Sequence, residues 1–232
     1  MKNWLNKSKK IIGILQNYEA HAIEMKSKII PKEPLFFLKP TTSFLFNEKN
    51  ENKPILIPKD CIVHHEGKIQ KKLKKKKKVE LGVIISKRGK KIPLEEAMNY
   101  VAGYCLFLDM TARNVQTEAK EKGLPWDKAK GFDTFAPISE FIPNEKIKNP
   151  HHLRLWLKIN DKMIQNGNTS DMIHSIPKLI HSLSQVMTLE EGDFIATGTP
   201  EGVGPIHVGD VITAGIEDFV ESNVKFEVEN DE

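Results

Sequence analysis

The chain has 232 residues, of which 39% are hydrophobic and 28% are charged, and this balance is typical of a folded soluble protein rather than a disordered one. The formal net charge of +4 does not indicate a basic binding surface, because eight lysines lie within residues 67–78 alone. Outside that segment 27 basic residues stand against 31 acidic ones, and the longest apolar runs are too short to span a bilayer.

A chain of this length can bury one core, so we expect a single domain over residues 1–232 that carries the lysine-rich segment as an insertion. The N-terminus has four lysines before the first acid, Glu19, but lacks the apolar stretch of a secretory signal. A transit peptide would leave little chain before the strand predicted at Ile11, so we expect a cytoplasmic protein, with a mitochondrial location as the alternative. Cys61 and Cys105 lie in apolar runs and are expected to be buried thiols, with a disulfide as the alternative.

The predicted elements mix helices with many short strands, and the chain shows no internal repeat. In chain order, strands are predicted in IIGIL, PLFFLKP, CIVHHE, VELGVIISK and YCLFLDM, and short strands and turns dominate from residue 133 on. Helices are predicted in EAHAIEMKSKI (19–29), after Pro93, in TARNVQTEAKEKG with a stop at Gly123, and in SIPKLIHSLSQVMTL with Pro177 in its first turn. Residues 47–60 form a polar connection. This order argues against a regular alternation of strands and helices.

Three carboxylates at strand ends form the first candidate site. Side chains two apart on a strand share a face, so Glu66 and Glu80 would lie together if residues 67–78 looped out and Val79 followed Glu66 directly. Asp109 ends another apolar strand. Three oxygen ligands without a nearby cysteine suit Mg²⁺, Mn²⁺ or Ca²⁺ rather than zinc. The alternative is that each acid is a solvated residue at the end of a strand.

Three further features carry chemistry that suits such a site. His21 and Glu24 lie three apart on a predicted helix, where the carboxylate would orient the imidazole and make the pair a base for water. Lys130 would stabilise developing negative charge in a dry site. The segment TGTPEGVG offers hydroxyl and backbone N–H groups to an anion but lacks the spacing of a P-loop. Each signal is weak by itself, because a solvated lysine or histidine is the commoner case.

The order of these segments resembles the fumarylacetoacetate hydrolase superfamily, and within it the acylpyruvase and oxaloacetate decarboxylase group. The resemblance rests on NYEAHAIEM, PLFFLKPTTS, HHE…VELGVII, YVAGYCLFLDMTARNVQ, KGLPWDKAKGFDTFAPIS, LWLKIND, TSDMIHSIPKLI and LEEGDFIATGTPEGVGP, in family order from about residue 10 to 228. It implies an α+β fold, a mixed β-sandwich roll (fumarylacetoacetase C-terminal-like) with flanking helices, and usually a homodimer.

The resemblance also implies a site, with Mg²⁺ or Mn²⁺ as cofactor and a small 2-oxo or 2,4-dioxo acid as substrate. Carried over by matching, the metal ligands are Glu66, Glu80 and Asp109, the catalytic residues are His21, Glu24 and Lys130, and the substrate contacts are Lys39, Arg113, Gln116 and Thr199. The implied reaction is hydrolysis of an acylpyruvate to pyruvate and a carboxylate, with oxaloacetate decarboxylation on the same site. Keto–enol interconversion of oxaloacetate is the alternative. Neither a membrane nor a nucleic acid is expected as a partner.

The lysine-rich segment departs from the family pattern, in which one residue usually separates the two site glutamates, whereas here thirteen do. In one interpretation residues 67–78 are an exposed loop that leaves Glu66 and Glu80 in place. In a second they break the metal site and leave a non-catalytic relative with a basic arm. In a third they are a retained intron, because Glu-Gly-Lys-Ile and Lys-Val have codons that contain GTAAAA and AG. The purine-rich tract is a poor acceptor context for splicing.

Two smaller points complete the comparison with the family pattern. Gln16 stands where many relatives carry arginine, and Asn114 where many carry aspartate, so both bear on substrate choice. A lysine run without interleaved aromatic residues gives only salt-sensitive, non-specific attraction to nucleic acid, which makes nucleic-acid binding a minor alternative.

Overall fold

A computed structural model describes residues 2–18, 32–48, 51–65, 79–199 and 204–231. The helix predicted at 19–29 and the lysine-rich segment 67–78 lie outside the described residues. Within those ranges the chain forms sixteen strands, three α-helices and five short 3-10 helices. The fold is therefore α+β, as predicted, with few helices.

Short strands make up most of the regular structure. In chain order they are β1 (Ile11–Leu15), β2 (Leu35–Lys39), β3 (Phe44–Phe46), β4 (Ile55–Ile57), β5 (Val63–His65), β6 (Glu80–Ile85), β7 (Val101–Phe107), β8 (Met110–Ala112), β9 (Ala136–Ile138), β10 (Ile142–Pro143), β11 (Arg154–Ile159), β12 (Lys162–Asn168), β13 (Phe194–Ala196), β14 (Gly204–Pro205), β15 (Val211–Ile216) and β16 (Phe219–Asn230). The α-helices are α1 (Arg113–Lys122), α2 (Asp127–Lys130) and α3 (Ile176–Val186). The 3-10 helices are Lys2–Lys7, Thr41–Ser43, Leu94–Tyr100, Asn144–Lys146 and Thr169–Asp171.

The largest sheet curls strongly. Its order is β2-β1-β13-β6-β7-β9-β3, and β10 also pairs with β7. A flat sheet would separate the edge strands β2 and β3 by about 29 Å, at about 4.8 Å per strand. The chain from Lys39 to Phe44 joins those edges in five residue steps, which reach at most about 18 Å. The two edges must therefore approach each other, which confirms the predicted roll.

Two smaller sheets complete the fold. One has the order β12-β11-β15-β16-β4, and the other has the order β14-β5-β8. In the second, β5 lies between β14 and β8, with His65 opposite both Gly204 and Met110. This small sheet therefore ties the residues just before the lysine-rich segment to the residues just after β7.

The central strands of the large sheet are buried on both faces. Every residue of β6 is buried, and its side chains alternate between two hydrophobic clusters. Leu81 and Val83 belong to the larger cluster, whereas Ile84 belongs to a smaller one that contains Phe194. Gly82 lies between Leu81 and Val83 and packs against Phe194, so a Cβ atom at this position would stand 2.1 Å from the Phe194 ring. Since both faces are covered, polar groups have room only at the strand ends.

Most predicted elements are observed, with two differences. Helix α1 ends at Gly123, whose φ of +66° is the left-handed conformation that glycine accepts readily. The segment after Pro93 forms the 3-10 helix Leu94–Tyr100 rather than an α-helix. The connection 47–60 contains β4, which pairs with the distant strand β16. Sequence patterns did not predict β4, because its neighbours along the chain are polar and its partner strand is remote in sequence.

Both cysteines are free thiols, Cys105 buried and Cys61 partly exposed, so the prediction of buried thiols holds fully only for Cys105. Of the helices within the described ranges, none has the length and apolar character needed to cross a membrane.

The first backbone N–H group of helix α3 donates a hydrogen bond to a histidine side chain. Pro177 lies in the first turn, as predicted, and Ser175 at the N-cap makes no side-chain capping bond. Instead, the Ile176 N–H donates to Nε2 of His151 over 3.1 Å. That nitrogen must be unprotonated to accept, and burial lowers the pKa of His151 below its usual value.

We predict that His151→Ala lowers the free energy of unfolding by about 1 kcal/mol above pH 7, as for other lost caps. Because the folded-state pKa of His151 is depressed, the neutral ring contributes fully above its unfolded pKa of about 6.5. That contribution is lost as pH falls through the folded pKa, so the difference between the two proteins should shrink. Denaturant unfolding at pH 8 and pH 5 measures it.

The control is His152→Ala, which removes the exposed neighbouring histidine and should leave stability nearly unchanged at both pH values. An equal penalty for His151→Ala at pH 8 and pH 5 would contradict the capping role.

Candidate active site

The carboxylate of Asp109 lies between two buried lysines just beyond the end of β7. Lys39 Nζ, at the end of β2, lies 2.9 Å from Oδ1 of Asp109, and Lys130 Nζ, at the end of α2, lies 2.5 Å from Oδ2. Lys39 also donates to the Met110 carbonyl over 3.0 Å. All three charged residues are at most 8% exposed. Buried charges are costly unless paired, so these groups form one electrostatic unit, here called the Asp109 cluster.

Aromatic side chains surround the two ammonium groups. Lys130 Nζ lies 4.5 Å from the centre of the Phe37 ring, and Lys39 Nζ lies 6.0 Å from the centre of the Phe135 ring. Aromatic faces attract cations and exclude water. Lys39 stands at the end of the edge strand β2, and its ammonium group reaches the Met110 carbonyl and the Phe135 ring. The cluster is therefore dry and strongly charged.

Glu80, the first residue of β6, supplies a second buried carboxylate. It is 4% exposed, and its Oε2 accepts a hydrogen bond of 3.1 Å from the Gly198 N–H. In the antiparallel ladder Glu80 pairs with Phe107, and Asp109 follows Phe107 by two residues. The two carboxylates thus stand at the same end of the β6–β7 pair.

The segment 197–199 is fixed from two sides. The Thr197 hydroxyl donates to the Leu81 carbonyl over 2.9 Å, and Asn17 Nδ2 donates to the Thr197 carbonyl over 2.8 Å. Gly198 has a φ of +87°, and a Cβ atom there would lie 2.8 Å from Asn17 Cβ. Thr199 follows and is 8% exposed. The TGT part of the predicted anion-binding segment is therefore held next to Glu80.

Sequence reasoning missed Asn17, although it lies in the matched stretch NYEAHAIEM. Its side chain is fully buried and also donates to the His174 carbonyl over 3.0 Å and accepts from the His174 N–H over 2.7 Å. A single buried amide has no periodic signal. Its position two residues after the apolar strand β1 was the only local clue.

Arg113 and Gln116 lie on one face of α1, three residues apart. The Arg113 guanidinium donates to Oε1 of Gln116, and both residues are at most 8% exposed. Arg113 follows Asp109 by four residues, through the short strand β8. Asn114 points elsewhere, because it accepts from the Ile62 N–H over 3.0 Å and donates to the Asp60 carbonyl over 2.9 Å. Its amide therefore holds the loop that leads into β5.

Three predicted site residues, His21, Glu24 and Glu66, lie outside the described residues. The described residues on either side of the lysine-rich segment nevertheless lie beside the Asp109 cluster. His65 pairs with Met110, and Glu80 pairs with Phe107, so these two strand ends flank Asp109.

The side chains that could bind a metal in the described part of the chain suit a hard divalent cation. Glu80 and Asp109 offer carboxylate oxygens, the ligands that Mg²⁺ and Mn²⁺ prefer, and both are buried. Among the described residues no group of three or more His, Cys, Asp or Glu side chains forms a metal site. The predicted third ligand, Glu66, is not among them. Both Asp109 oxygens accept from lysine, which marks a position suited to positive charge.

Known proteins resemble this chain over nearly all of its length. Oxaloacetate tautomerase FAHD1, mitochondrial, of Mus musculus is 49% identical over 225 residues, which cover 97% of this chain and 93% of that protein. Oxaloacetate decarboxylase, mitochondrial, of Dictyostelium discoideum is 46% identical over 217 residues, which cover 93% and 92%.

Solved structures agree with the fold. Fumarylpyruvate hydrolase from Pseudomonas aeruginosa, in complex with Mn²⁺ and pyruvate, has a TM-score of 0.85 at 30% identity, covering 97% of this chain and 91% of that chain. A yeast fumarylacetoacetate hydrolase family protein has a TM-score of 0.82 at 37% identity, covering 99% and 96%. Residues 10–226 match the family described as fumarylacetoacetate (FAA) hydrolase C-terminal. The chain therefore belongs to this family of enzymes, as its ordered motifs indicate.

Proposed function

We propose that this chain is a divalent-metal-dependent enzyme that acts on small 2-oxo acids, with oxaloacetate as its first substrate. The observation that carries the proposal is the Asp109 cluster, a buried carboxylate between two buried lysines. The names of the relatives support oxaloacetate, because proteins 46–49% identical are named oxaloacetate tautomerase or decarboxylase.

The charges of the described site support an anionic substrate that enters together with a cation. Among the buried described residues of the site, Lys39, Lys130 and Arg113 carry three positive charges, and Glu80 and Asp109 carry two negative ones. Glu66, which we assign to the metal, adds the third negative charge. A dianion such as oxaloacetate would upset this balance by itself in a buried site. A divalent cation that accompanies it restores the balance, which favours joint binding.

We assign Mg²⁺ or Mn²⁺ to Glu66, Glu80 and Asp109. When bound, the ion supplies a Lewis acid and a template for the carboxylate and 2-oxo oxygens of the substrate. Lys39, Arg113, Gln116 and Thr199 are assigned to the carboxylate and carbonyl groups of the substrate. The first of these also neutralises Asp109, so its role in this proposal is partly to hold that carboxylate.

Three residues are assigned to proton transfer and to stabilising the charge that develops on the substrate. For tautomerisation, His21, oriented by Glu24, takes a proton from carbon 3 of oxaloacetate, and the resulting imidazolium gives that proton to the 2-oxo oxygen. Lys130 stabilises the negative charge that develops on that oxygen, because a buried ammonium acts strongly where water is excluded. For decarboxylation, the same cation stabilises the charge left when CO₂ departs.

Hydrolysis of acylpyruvates is the second candidate function. It was the leading expectation from sequence, and the similarity to a fumarylpyruvate hydrolase at a TM-score of 0.85 favours it. Here His21 takes a proton from water, hydroxide adds to the distal carbonyl, and cleavage of the carbon–carbon bond yields pyruvate and a carboxylate.

We also propose that residues 67–78 form a loop that leaves the site usable. The strand ends on both sides of the segment pair with residues that flank Asp109, as a loop leaving a strand end requires. Loop length itself costs little, about 0.6 kcal/mol per doubling. The interpretations as a site-breaking arm or as a retained intron remain the alternatives.

Three further proposals follow from the family. The chain forms one domain over residues 1–232, it acts as a homodimer, and it works in mitochondria. The last was the alternative location expected from the sequence, and the mitochondrial names of the relatives at 46–49% identity support it.

The first test measures loss of the enol form of oxaloacetate, and pyruvate release from oxaloacetate and from acetylpyruvate, with Mg²⁺ and with excess EDTA. We expect activity on oxaloacetate that EDTA abolishes and that Mg²⁺ or Mn²⁺ restores. Activity on acetylpyruvate alone would favour the hydrolase, and turnover unaffected by EDTA would refute the metal assignment.

The second test compares the full chain with a deletion of residues 67–78. Because loop closure is cheap, we expect kcat/KM values within about tenfold of each other. Activity confined to the deletion variant would reject the tolerated loop, and sequencing the transcript would then separate an inhibitory arm from a retained intron. If both forms are inactive on both substrates, the chain is a non-catalytic relative.

The third test replaces Lys130 by methionine, which keeps the side-chain length and removes the charge. Removal of a group that stabilises transition-state charge should lower kcat by about 10²–10³. The control is Lys128→Met, which removes an exposed lysine from the same helix. An unchanged kcat in folded Lys130→Met would remove Lys130 from the mechanism.

A further inference from the structure

Two tyrosine hydroxyls are buried without a hydrogen-bond partner in the described part of the chain, those of Tyr18 and Tyr104. Tyr18 is 1% exposed and Tyr104 is not exposed at all. Burying a hydroxyl without a partner costs free energy, so such groups call for an explanation. The two tyrosines lie in different surroundings.

Tyr104 is a core residue. It lies on β7 opposite Val83, three residues along β6 from Glu80, and an odd spacing places it on the other face of the sheet from that carboxylate. It belongs to the larger hydrophobic cluster, and burial alone raises its pKa to about 12. None of the described residues around Tyr104 points to a ligand.

Tyr18 differs from Tyr104 because carboxylates act on it. Burial is the main cause of its raised pKa, and the negative charges of Glu80 and Asp171 raise the pKa further. The hydroxyl therefore keeps its proton at neutral pH and is available as a donor. Tyr18 also directly precedes the segment that carries His21 and Glu24.

The backbone around Tyr18 is held in place. Tyr18 forms an isolated antiparallel bridge with Met172, and the Asn17 carbonyl accepts from the Ile173 N–H over 2.8 Å. The Asn17 side chain binds the Thr197 carbonyl, one residue before Gly198, which donates to Glu80. Tyr18 is thus fixed to the same framework that positions Glu80 and Thr199.

We propose that the Tyr18 hydroxyl is a substrate-binding donor, which gives its hydrogen bond to a carboxylate or 2-oxo oxygen of the bound 2-oxo acid. A donor held in a dry site binds an anionic oxygen more strongly than a neutral one. The bound acid supplies the partner that the described residues do not. This inference rests on the proposed function, because it takes a 2-oxo acid as the ligand.

The test compares Tyr18→Phe with the matched control Tyr104→Phe. Each change removes one buried hydroxyl without a described partner and keeps the ring. The probe is pyruvate, titrated into protein loaded with Mn²⁺, with water-proton relaxation as the signal. Mn²⁺ affinity and the thermal unfolding midpoint of the metal-free protein are measured alongside.

We expect Tyr18→Phe to bind pyruvate about tenfold more weakly than the wild type, as for one lost hydrogen bond to a charged group. Its Mn²⁺ affinity should stay unchanged, and its unfolding midpoint should not fall. Tyr104→Phe should match the wild type in pyruvate and Mn²⁺ affinity. A purely structural tyrosine would not weaken pyruvate binding while leaving stability intact.

Four results would overturn the inference. Unchanged pyruvate affinity in Tyr18→Phe rejects it, and so does an equal loss in Tyr104→Phe, which marks a general packing effect. A loss of Mn²⁺ affinity in Tyr18→Phe would instead make Tyr18 a positioning residue for Glu80. Absence of pyruvate binding by the Mn²⁺-loaded wild type refutes the proposed function, and this inference with it.

Discussion

The ion pairs of Asp109 with Lys39 and Lys130 are the constraint on which the rest of this structure depends. One carboxylate and two ammonium groups are nearly excluded from water, and each is tolerable only because the others are present. Removing one partner of a buried pair typically costs about 3–5 kcal/mol, because the remaining charge stays buried. The interaction therefore holds strand β2, the end of β7 and helix α2 together and also supplies the charges of the site.

The curled sheet makes this arrangement feasible. Because hydrophobic clusters cover both faces of its central strands, charged groups fit only where strands end. Glu80, Asp109 and the segment 197–199 all occupy such ends, and the short sheet of β14, β5 and β8 adds another. The described residues on either side of the lysine-rich segment, His65 and Glu80, pair at these same ends.

Buried polar side chains without a charge complete the framework. Asn17 uses both its amide donors and its carbonyl to hold the backbone at His174 and Thr197, and the left-handed Gly198 packs against it. These bonds set the direction of the Gly198 N–H towards Glu80. A preorganised dipole of this kind costs nothing to reorient during a reaction. The segment that follows β13 is therefore part of the site as well as of the fold.

Ordered motifs along the chain were enough to predict the family, the α+β roll, the carboxylates at strand ends and the two lysines of the site. They identified Lys39, Asp109 and Lys130 individually, but no local pattern reports that residues 70 apart share an ion pair. Strand β4 was missed for the same reason, since its partner β16 lies at the other end of the chain.

Side-chain chemistry is local and can be read from residue types and spacing. By itself the sequence determined which groups carry charge, which segments are apolar enough to be buried, and where the chain turns. Only the tertiary structure decided which charges meet, that Asn114 supports a loop, and that the hydroxyl of Tyr18 is buried without a partner among the described residues. Those outcomes depend on how a curled sheet brings distant strand ends together, and that geometry results from packing the whole chain.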